Sequence, residues 1–335
     1  MTGRIAFVSF TDRGAGLAER LRERFGGTAS NARRDAPFSL AAWTAEAFAS
    51  AEALVFVGAA GIAVRAIAPH IRSKAADPAV IVVDEAGRFA VPILSGHLGG
   101  ANALARELAA FCGGTAVLTT ATDVNNRFAV DEWAKRQNCA VVNPDRIKYV
   151  SANILAGKPV SAGGEFPIHG TPPDGVVWTD GPSCDFYCGI HRPAGTALHL
   201  APKIAVLGAG CRRGTPLETL NAAFLQFLEA ENLCAEAVCA VSSIDLKKDE
   251  PGLLAFCKAH GWPLKTGSAE VLAAVPGAFT ASEFVRRTAG VDNVCERSAV
   301  WASGGVLAVR KRAWNGVTLA LALGPYNPDW RWQDE

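Results

Sequence analysis

Short apolar runs alternate with helical patterns along the first 125 residues. The run at residues 4–10 is typical of a buried strand, and Leu17, Leu21 and Phe25 then recur every four residues, as on one face of a helix. Further strands are predicted at residues 53–57, 79–83, 88–94 and 116–119, and further helices at residues 40–50, before Pro69 and after Gly100. This alternation predicts an α/β domain with a mixed, largely parallel sheet, in which a hairpin turn at residues 84–87 adds an antiparallel pair.

The pattern changes twice further along the chain. Helices are predicted near residues 130–138 and 144–156, but prolines and glycines crowd residues 158–202, and helical periodicity is lost there. A new strand–helix alternation opens at Lys203. We therefore expect an N-terminal α/β domain at residues 1–125, a small Pro/Gly-rich middle segment and linker at residues 126–201, and a separate C-terminal α/β domain at residues 202–325.

Composition narrows the classes of partner. The 335 residues carry 33 basic and 32 acidic side chains, so the net charge of +1 does not attract nucleic acid or a membrane surface. The first ten residues lack the apolar segment of a signal peptide, and no run approaches the roughly 18 apolar residues of a membrane span. We expect a cytoplasmic protein with no nucleic-acid or membrane partner. The nine cysteines include no C-x-x-C pair, so most are predicted to be reduced and buried, and no protein metal site is predicted.

The first candidate site is a glycine-rich turn at residues 95–102, between a predicted strand and a predicted helix. Gly99 and Gly100 allow the backbone to approach a ligand closely, and the N–H groups of a helix start attract anions. His97 is placed to act as a general base or hydrogen-bond donor near neutral pH. The alternative is that His97 only caps the helix or fills a wet crevice.

The second candidate site is a polar segment at residues 119–126, after another predicted strand. Polar residues at the carboxyl ends of parallel strands line the usual binding crevice of an open α/β sheet. Asp123 is therefore a candidate base, or a carboxylate that orients one. The alternative is a helix N-cap and turn built from threonine and aspartate.

Two further segments lie in the C-terminal domain. Residues 208–215 resemble a dinucleotide-binding fingerprint but fail it, because Arg213 occupies the third glycine position. Thr215 and Glu218 match a capping box, and Arg212 and Arg213 beside a helix start suit carboxylate recognition, although surface arginines on a solvated loop are an equal alternative. By composition alone, residues 242–252 form a charged solvated loop.

These segments also carry a resemblance to a known family. Long motifs match in order along nearly the whole chain, at residues 56–69, 77–80, 84–87, 94–102, 119–123, 208–214, 243–253, 282–285 and 294–296. On these motifs the chain resembles the CbiG family of anaerobic cobalamin biosynthesis, whereas CobE, a shorter relative from the aerobic pathway, is similar only to the C-terminal domain. Arg297 and Ser298 depart from the pattern, since proline and alanine are expected there.

The resemblance implies a substrate and a reaction. The implied substrate is cobalt-precorrin-5A, a tetrapyrrole rimmed with carboxylates, whose ring A acetate is closed into a δ-lactone. Water opens the lactone, a carbon–carbon bond then breaks, and the two-carbon fragment leaves as acetaldehyde to give cobalt-precorrin-5B. The reaction is redox-neutral, so no cofactor is expected, and the cobalt is carried by the substrate. Neighbouring enzymes of the pathway are further partners to consider, for transfer of the intermediate.

The implied chemistry assigns roles to the candidate residues. His97 and Asp123 are the candidate catalytic residues, because lactone hydrolysis needs a group that activates water. Substrate contacts are expected at Arg65, Ser95, Gly99, Gly100, Asn102, Thr120, Arg212, Arg213 and Lys247. Two other functions stay open: a non-catalytic protein that binds and shields the corrinoid, and a nucleotide-binding Rossmann enzyme, against which Arg213 argues.

Overall fold

A computed structural model of the chain describes residues 4–35, 37–73, 76–97, 99–180 and 183–332, without the side chains of Asp123 and Phe284. The chain divides into two compact units, of which the first ends at Glu132 and the second begins at Trp133. Within these ranges, no helix combines the length and the apolar character needed to cross a membrane.

The described residues of the first unit form one six-stranded sheet with helices around it, the last of which continues into the second unit. The strands are β1 Ile5–Ser9, β2 Thr28–Asn31, β3 Ala53–Val57, β4 Ala79–Val83, β5 Phe89–Leu94 and β6 Thr115–Ala116. The helices are α1 Asp12–Phe25, α2 Leu40–Ser50, α3 Ala60–Ile67, α4 Ala101–Cys112, α5 Ala121–Val124 and α6 Val130–Arg136. The spatial order of the strands is β2-β1-β3-β4-β5-β6.

Both faces of this sheet are covered by helices, which explains why its central strands are apolar throughout. On one face, Phe7 and Val55 pack with Leu17 of α1 and Leu104 of α4. On the other face, Val8 and Phe56 pack with α2 and α3 through Ala47, Ala63 and Ile67. The predicted α/β class is therefore confirmed for this unit.

The direction of β5 decides where the loops lie. Strands β1 to β4 are parallel to one another. Strand β5 is antiparallel to β4, and β6 is parallel to β5. Leu94 at the end of β5 pairs with Val80 at the start of β4. The segments that follow β5 and β6 therefore lie at the edge where β4 begins, opposite the carboxyl ends of β1, β3 and β4.

The second unit contains two five-stranded sheets. The first has the order β7-β11-β10-β8-β9, with β7 Cys139–Val141, β8 Val160–Gly164, β9 Val176–Trp178, β10 Phe186–Cys188 and β11 Leu198–Pro202. The second has the order β14-β13-β12-β16-β15, with β12 Ala205–Cys211, β13 Val238–Ile244, β14 Leu264–Gly267, β15 Val306–Trp314 and β16 Val317–Leu323. Its helices are α7 Ile147–Leu155, α8 Leu217–Ala230, α9 Pro251–His260, α10 Ala269–Ala273, α11 Glu283–Ala289 and α12 Cys295–Ser303.

The Pro/Gly-rich middle segment forms a sheet that shares a core with the C-terminal sheet. Ile190 and Ala201 from the middle segment belong to the same buried cluster as Phe227 and Leu253. The end of the chain also returns to the middle sheet: the Trp133 Nε1–H donates to the Asp329 carbonyl at 2.7 Å, and Trp133 stacks on Trp330. The predicted domain boundaries at residues 126, 202 and 325 stay predictions.

Candidate functional site

The glycine-rich turn at residues 95–102 connects β5 to α4, as predicted. Ser95 has a positive φ of 55°, and its hydroxyl donates to the Asp77 carbonyl at 2.9 Å. A side chain at Gly99 would overlap Ser95, so Gly99 is required by the compactness of the turn itself. Whether Ser95 and Gly99 also contact a ligand stays a prediction.

The N–H groups at the start of α4 are engaged within the turn. Gly100 N–H donates to the His97 carbonyl at 3.0 Å, Ala101 N–H to the Ser95 carbonyl at 3.1 Å, and Asn102 N–H to the Gly96 carbonyl at 2.9 Å. An anion at this helix start would have to compete with these bonds. The expected contact of Gly100 with substrate therefore stays a prediction, and the Gly100 N–H is already engaged by the His97 carbonyl.

The second predicted site meets the first through two side chains. The buried Asn102 amide donates from Nδ2 to Thr120 Oγ1 at 2.9 Å. This bond joins the turn after β5 to the segment after β6, because the two strands are parallel and end at the same edge. The segment then forms the short helix α5, which carries Asp123; the side chain of Asp123 lies outside the described part of the chain.

His97 lies between two carboxylates that the sequence analysis did not single out. Its Nδ1 is 3.1 Å from each oxygen of Asp131, and its Nε2 is 3.5 Å from Glu132 Oε1. All three side chains are largely buried, with exposed fractions of 10%, 14% and 13% for His97, Asp131 and Glu132. Each ring nitrogen of His97 therefore faces a carboxylate oxygen.

The two acids stand in the first turn of α6, where the helix dipole favours negative charge. Their spacing from His97, 34 residues for Asp131, gives no local motif that would connect them. The only signal in the sequence is a pair of adjacent acids at the start of a predicted helix, which usually forms a solvated face. These three residues, His97, Asp131 and Glu132, are referred to below as the histidine cluster.

Arg65 is exposed on α3, and its Nη1 donates to the Gly61 carbonyl at 3.1 Å. This bond holds the guanidinium against its own helix. The described contacts do not connect Arg65 to the histidine cluster, so its expected contact with substrate stays a prediction.

In the second unit, the predicted arginines lie on the loop between β12 and α8. Arg212 and Arg213 are both exposed, and the Arg212 side chain lies against Gly316 in the turn between β15 and β16. The predicted capping box is wrong: α8 begins at Leu217 with Pro216 as its N-cap, and the Thr215 hydroxyl donates instead to the Arg212 carbonyl at 2.8 Å. The loop at residues 212–215 thus closes on itself rather than on the helix.

The third predicted cation of this unit is paired inside the protein. Lys247 Nζ donates to Glu250 Oε2 at 2.8 Å, and the other oxygen of Glu250 accepts the Gly214 N–H at 2.6 Å. The Lys247 bond is the largest cause that holds the pKa of Glu250 below its usual value; burial opposes it, and the Gly214 bond and the charge of Arg213 add to the lowering. Residues 245–250 are therefore built around a buried ion pair and are not only a solvated loop.

Two regions of the chain match models of known protein families. Residues 42–123 match the family model described as "Cobalamin synthesis G N-terminal", and residues 205–322 match "Cobalamin synthesis G C-terminus". A protein from Salmonella typhimurium named cobalt-precorrin-5A hydrolase is 38% identical over 295 residues, which cover 83% of this chain and 84% of that protein. The chain belongs to the CbiG family. The predicted resemblance is thereby confirmed.

Two more distant matches cover most of the chain. A protein from Priestia megaterium, also named cobalt-precorrin-5A hydrolase, is 29% identical over 308 residues, covering 84% of this chain and 80% of that protein. A crystal structure of a cobalamin biosynthesis protein G homolog from Sulfolobus solfataricus is 20% identical with a TM-score of 0.41, and covers 96% of this chain and 97% of that chain.

The CbiG motif at residues 294–296 has a structural role in this chain. The buried Glu296 accepts the N–H and hydroxyl of Thr280, at 2.7 and 2.8 Å, and the N–H of Lys311 at 2.7 Å. The carbonyl of Cys295 occupies the space that a side chain at Gly208 would need. The motif thus fixes α12 against β12 and β15.

The two departures from the CbiG pattern also have structural partners. Arg297 donates to Asp292 Oδ1 at 2.8 Å and to backbone carbonyls at the end of α10 and just after it. The Ser298 hydroxyl accepts a bond from the Ser242 hydroxyl at 3.1 Å inside the core. Both substitutions therefore add polar contacts to one end of α12, away from the arginines of the loop after β12.

The cysteines are free thiols, several of them buried. Burial is the main cause that raises the pKa of Cys257 to about 11 and those of Cys234 and Cys295 to about 12. Such thiols are poor nucleophiles because they remain protonated at neutral pH. Among the described residues, no three histidine, cysteine or acidic side chains are grouped so as to hold a metal ion.

Proposed function

We propose that this CbiG family member is a cobalt-precorrin-5A hydrolase of anaerobic cobalamin biosynthesis. The observation that carries the proposal is the 38% identity with the Salmonella typhimurium protein of that name, which extends over 84% of that protein and so includes both family regions. The two named relatives make hydrolysis the favoured activity over corrinoid shielding alone. We further propose that cobalt enters as part of the substrate and that no protein-bound cofactor takes part.

The proposed reaction has two steps and conserves oxidation state. A water oxygen first attacks the lactone carbonyl carbon, and the acyl–oxygen bond breaks to leave an acetate carboxylate and a hydroxyl on the two-carbon fragment. That hydroxyl then loses its proton, its oxygen becomes the carbonyl of acetaldehyde, and the bond to the macrocycle breaks with its electron pair passing into the conjugated ring. One water is consumed, and two protons are released, one from the new acid and one from the hydroxyl.

The histidine cluster is suited to these proton transfers. With its ring between two carboxylates, His97 is best placed as the acid that protonates the leaving oxygen in the first step. Glu132 Oε1 lies 3.5 Å from His97 Nε2, against 3.1 Å for Asp131 at Nδ1, and Glu132 is our candidate to take the proton from water. Asp131 then orients the ring, as the acid of a catalytic triad orients its histidine.

The loop at residues 212–215 after β12, called the arginine loop below, is suited to the carboxylate rim of the substrate. Guanidinium groups bind carboxylates through paired N–H bonds, and both Arg212 and Arg213 are exposed. Neighbouring enzymes of the pathway are proposed partners only for transfer of the labile intermediate.

The test is direct measurement of the released aldehyde. Purified protein incubated anaerobically with cobalt-precorrin-5A is expected to release one acetaldehyde per substrate, trapped as a hydrazone, with the Salmonella typhimurium relative as positive control. Persistence of substrate with no trapped aldehyde, while the control turns over, contradicts the proposal. Binding of substrate without turnover would instead support the shielding function.

A further inference from the structure

The loop that carries Arg212 and Arg213 is held from three sides. The Thr215 hydroxyl donates to the Arg212 carbonyl at 2.8 Å, Gly316 lies under the Arg212 side chain, and Glu250 accepts the Gly214 N–H at 2.6 Å. The first of these contacts lies within the loop itself, and the second comes from the turn between β15 and β16. Only the third comes from the loop after β13, and it uses a carboxylate that is almost fully buried.

Both oxygens of Glu250 are engaged, and one of them holds this loop. One oxygen accepts the Gly214 N–H, and the other accepts Lys247 Nζ at 2.8 Å, with exposed side-chain fractions of only 5% for Glu250 and 16% for Lys247. The backbone is equally close, because a side chain at Gly252 in the first turn of α9 would overlap the Thr215 carbonyl. The loops after β12 and β13 are neighbours since these strands are parallel and adjacent.

We propose that Glu250 is a positioning residue that presets the arginine loop for carboxylates, and that Lys247 acts through Glu250 rather than on the substrate. This inference rests on the proposed function and deepens it, because it names the group that prepares the binding residues. A loop whose backbone is held by a buried carboxylate loses less freedom on binding, so the arginines it carries gain affinity from preorganisation. Lys247 has its ammonium directed at Glu250 and is mostly covered.

Charge alone predicts the opposite effect. Removing a negative charge next to Arg213 would strengthen the attraction of an anionic ligand to this region. If Glu250 only competed with the substrate electrostatically, its replacement by glutamine would therefore tighten binding. If Glu250 positions the loop, the same replacement weakens binding, because a glutamine amide cannot accept from both Gly214 and Lys247. The sign of the change distinguishes the two roles.

The experiment measures binding of uroporphyrin III, a tetrapyrrole with eight carboxylates, to the full chain by quenching of tryptophan fluorescence. Its octamethyl ester is the control ligand, since it has the same ring without the charges. Glu250→Gln is expected to weaken uroporphyrin binding by about tenfold, the lower end of what loss of a charge-assisted hydrogen bond produces. Asp249→Asn is the matched control variant, because it removes the same charge from the exposed neighbouring residue, and binding is expected to stay within about twofold.

Two further comparisons separate positioning from a general loss of structure. Lys247→Met is expected to weaken binding as Glu250→Gln does, whereas Lys247→Arg, which retains a cationic donor, is expected to restore it. In a chain that already carries Arg212→Met and Arg213→Met, Glu250→Gln is expected to have no further effect. Unchanged or tighter binding by Glu250→Gln, or an equal loss in the absence of both arginines, overturns the proposal.

Acetaldehyde release keeps this inference separate from the proposed function. If the wild-type chain releases acetaldehyde but Glu250→Gln binds uroporphyrin normally, the positioning role fails and the hydrolase function stands. If no aldehyde is released but the binding results follow the expected pattern, the arginine loop is a carboxylate site prepared by Glu250 in a protein of another activity.

Discussion

Asn102 Nδ2 donates to Thr120 Oγ1 at 2.9 Å, although the two residues are 18 positions apart and follow different strands. The bond lies at the edge of the sheet where β4 begins, because β5 and β6 run against the other strands. The same edge carries His97, so the two candidate sites of the first unit form one region. Proton transfer by the side chains of this region can be tested by substitution.

We predict that His97→Asn and Glu132→Gln each lower the rate of acetaldehyde release by about 10²–10⁴, the usual contribution of a general acid or base. Asn at position 97 retains a donor for Asp131 but removes the titratable ring, so substrate binding is expected to stay near normal. Glu107→Gln, an exposed acid on α4, is the control and is expected to turn over normally. If His97→Asn is active and Asp123→Asn is inactive, Asp123 is the base and the roles given to the histidine cluster are wrong.

We predict that replacing Arg212 and Arg213 together with methionine weakens substrate binding, since each charge-assisted contact with a carboxylate contributes about 1.5–3 kcal/mol. Methionine keeps the length of the side chain and removes every donor. Arg287→Met is the matched control, because Arg287 is exposed on α11 and its side chain is 82% accessible. A KM that does not rise in the double variant, with an unchanged melting temperature, would make both arginines ordinary solvated residues.

We predict an acid-sensitive contribution to stability from Glu250. Its pKa is lowered in the folded protein, mainly by Lys247, so the carboxylate stabilises the fold at any pH above its unfolded value of about 4.3. That contribution is lost as pH falls through the lower folded value. In urea unfolding at pH 7 and at successively lower pH below about 5, the wild type is expected to lose stability relative to Glu250→Gln. A stability difference that is constant with pH would contradict this assignment.

We predict that a fragment of residues 202–325 folds cooperatively but melts at a lower temperature than a fragment of residues 133–332. The shorter fragment keeps most of the buried cluster, including Leu207, Phe227 and Leu253, but loses the contact with Ile190. It also loses Tyr326, whose hydroxyl donates to the Gln137 carbonyl at 3.0 Å. Thermal unfolding followed by circular dichroism checks this; aggregation of the shorter fragment alone would move the domain boundary into the middle segment.

Local patterns in the sequence predicted most strands and helices, because they depend on neighbours within one or two turns. The apolar runs at residues 53–57 and 79–83 became β3 and β4 with the same bounds. The middle segment was harder to predict: a strand was expected at residues 176–179 and is found as β9, but a strand as short as β10 carries little periodic signal and is stabilised by pairing across the sheet. The capping box failed because α8 begins at Leu217, so Pro216 rather than Thr215 occupies the N-cap position.

The sequence by itself determined the fold class, the CbiG family and the turn that carries His97, because motifs and hydrophobic periodicity are properties of contiguous residues. Only the tertiary structure decided that Asp131 and Glu132 flank the His97 ring and that Glu250 connects Lys247 to the arginine loop. These contacts depend on the direction of β5 and on the pairing of β12 with β13, which bring distant segments together. Charge and donor geometry act through space, so no spacing along the chain encodes them.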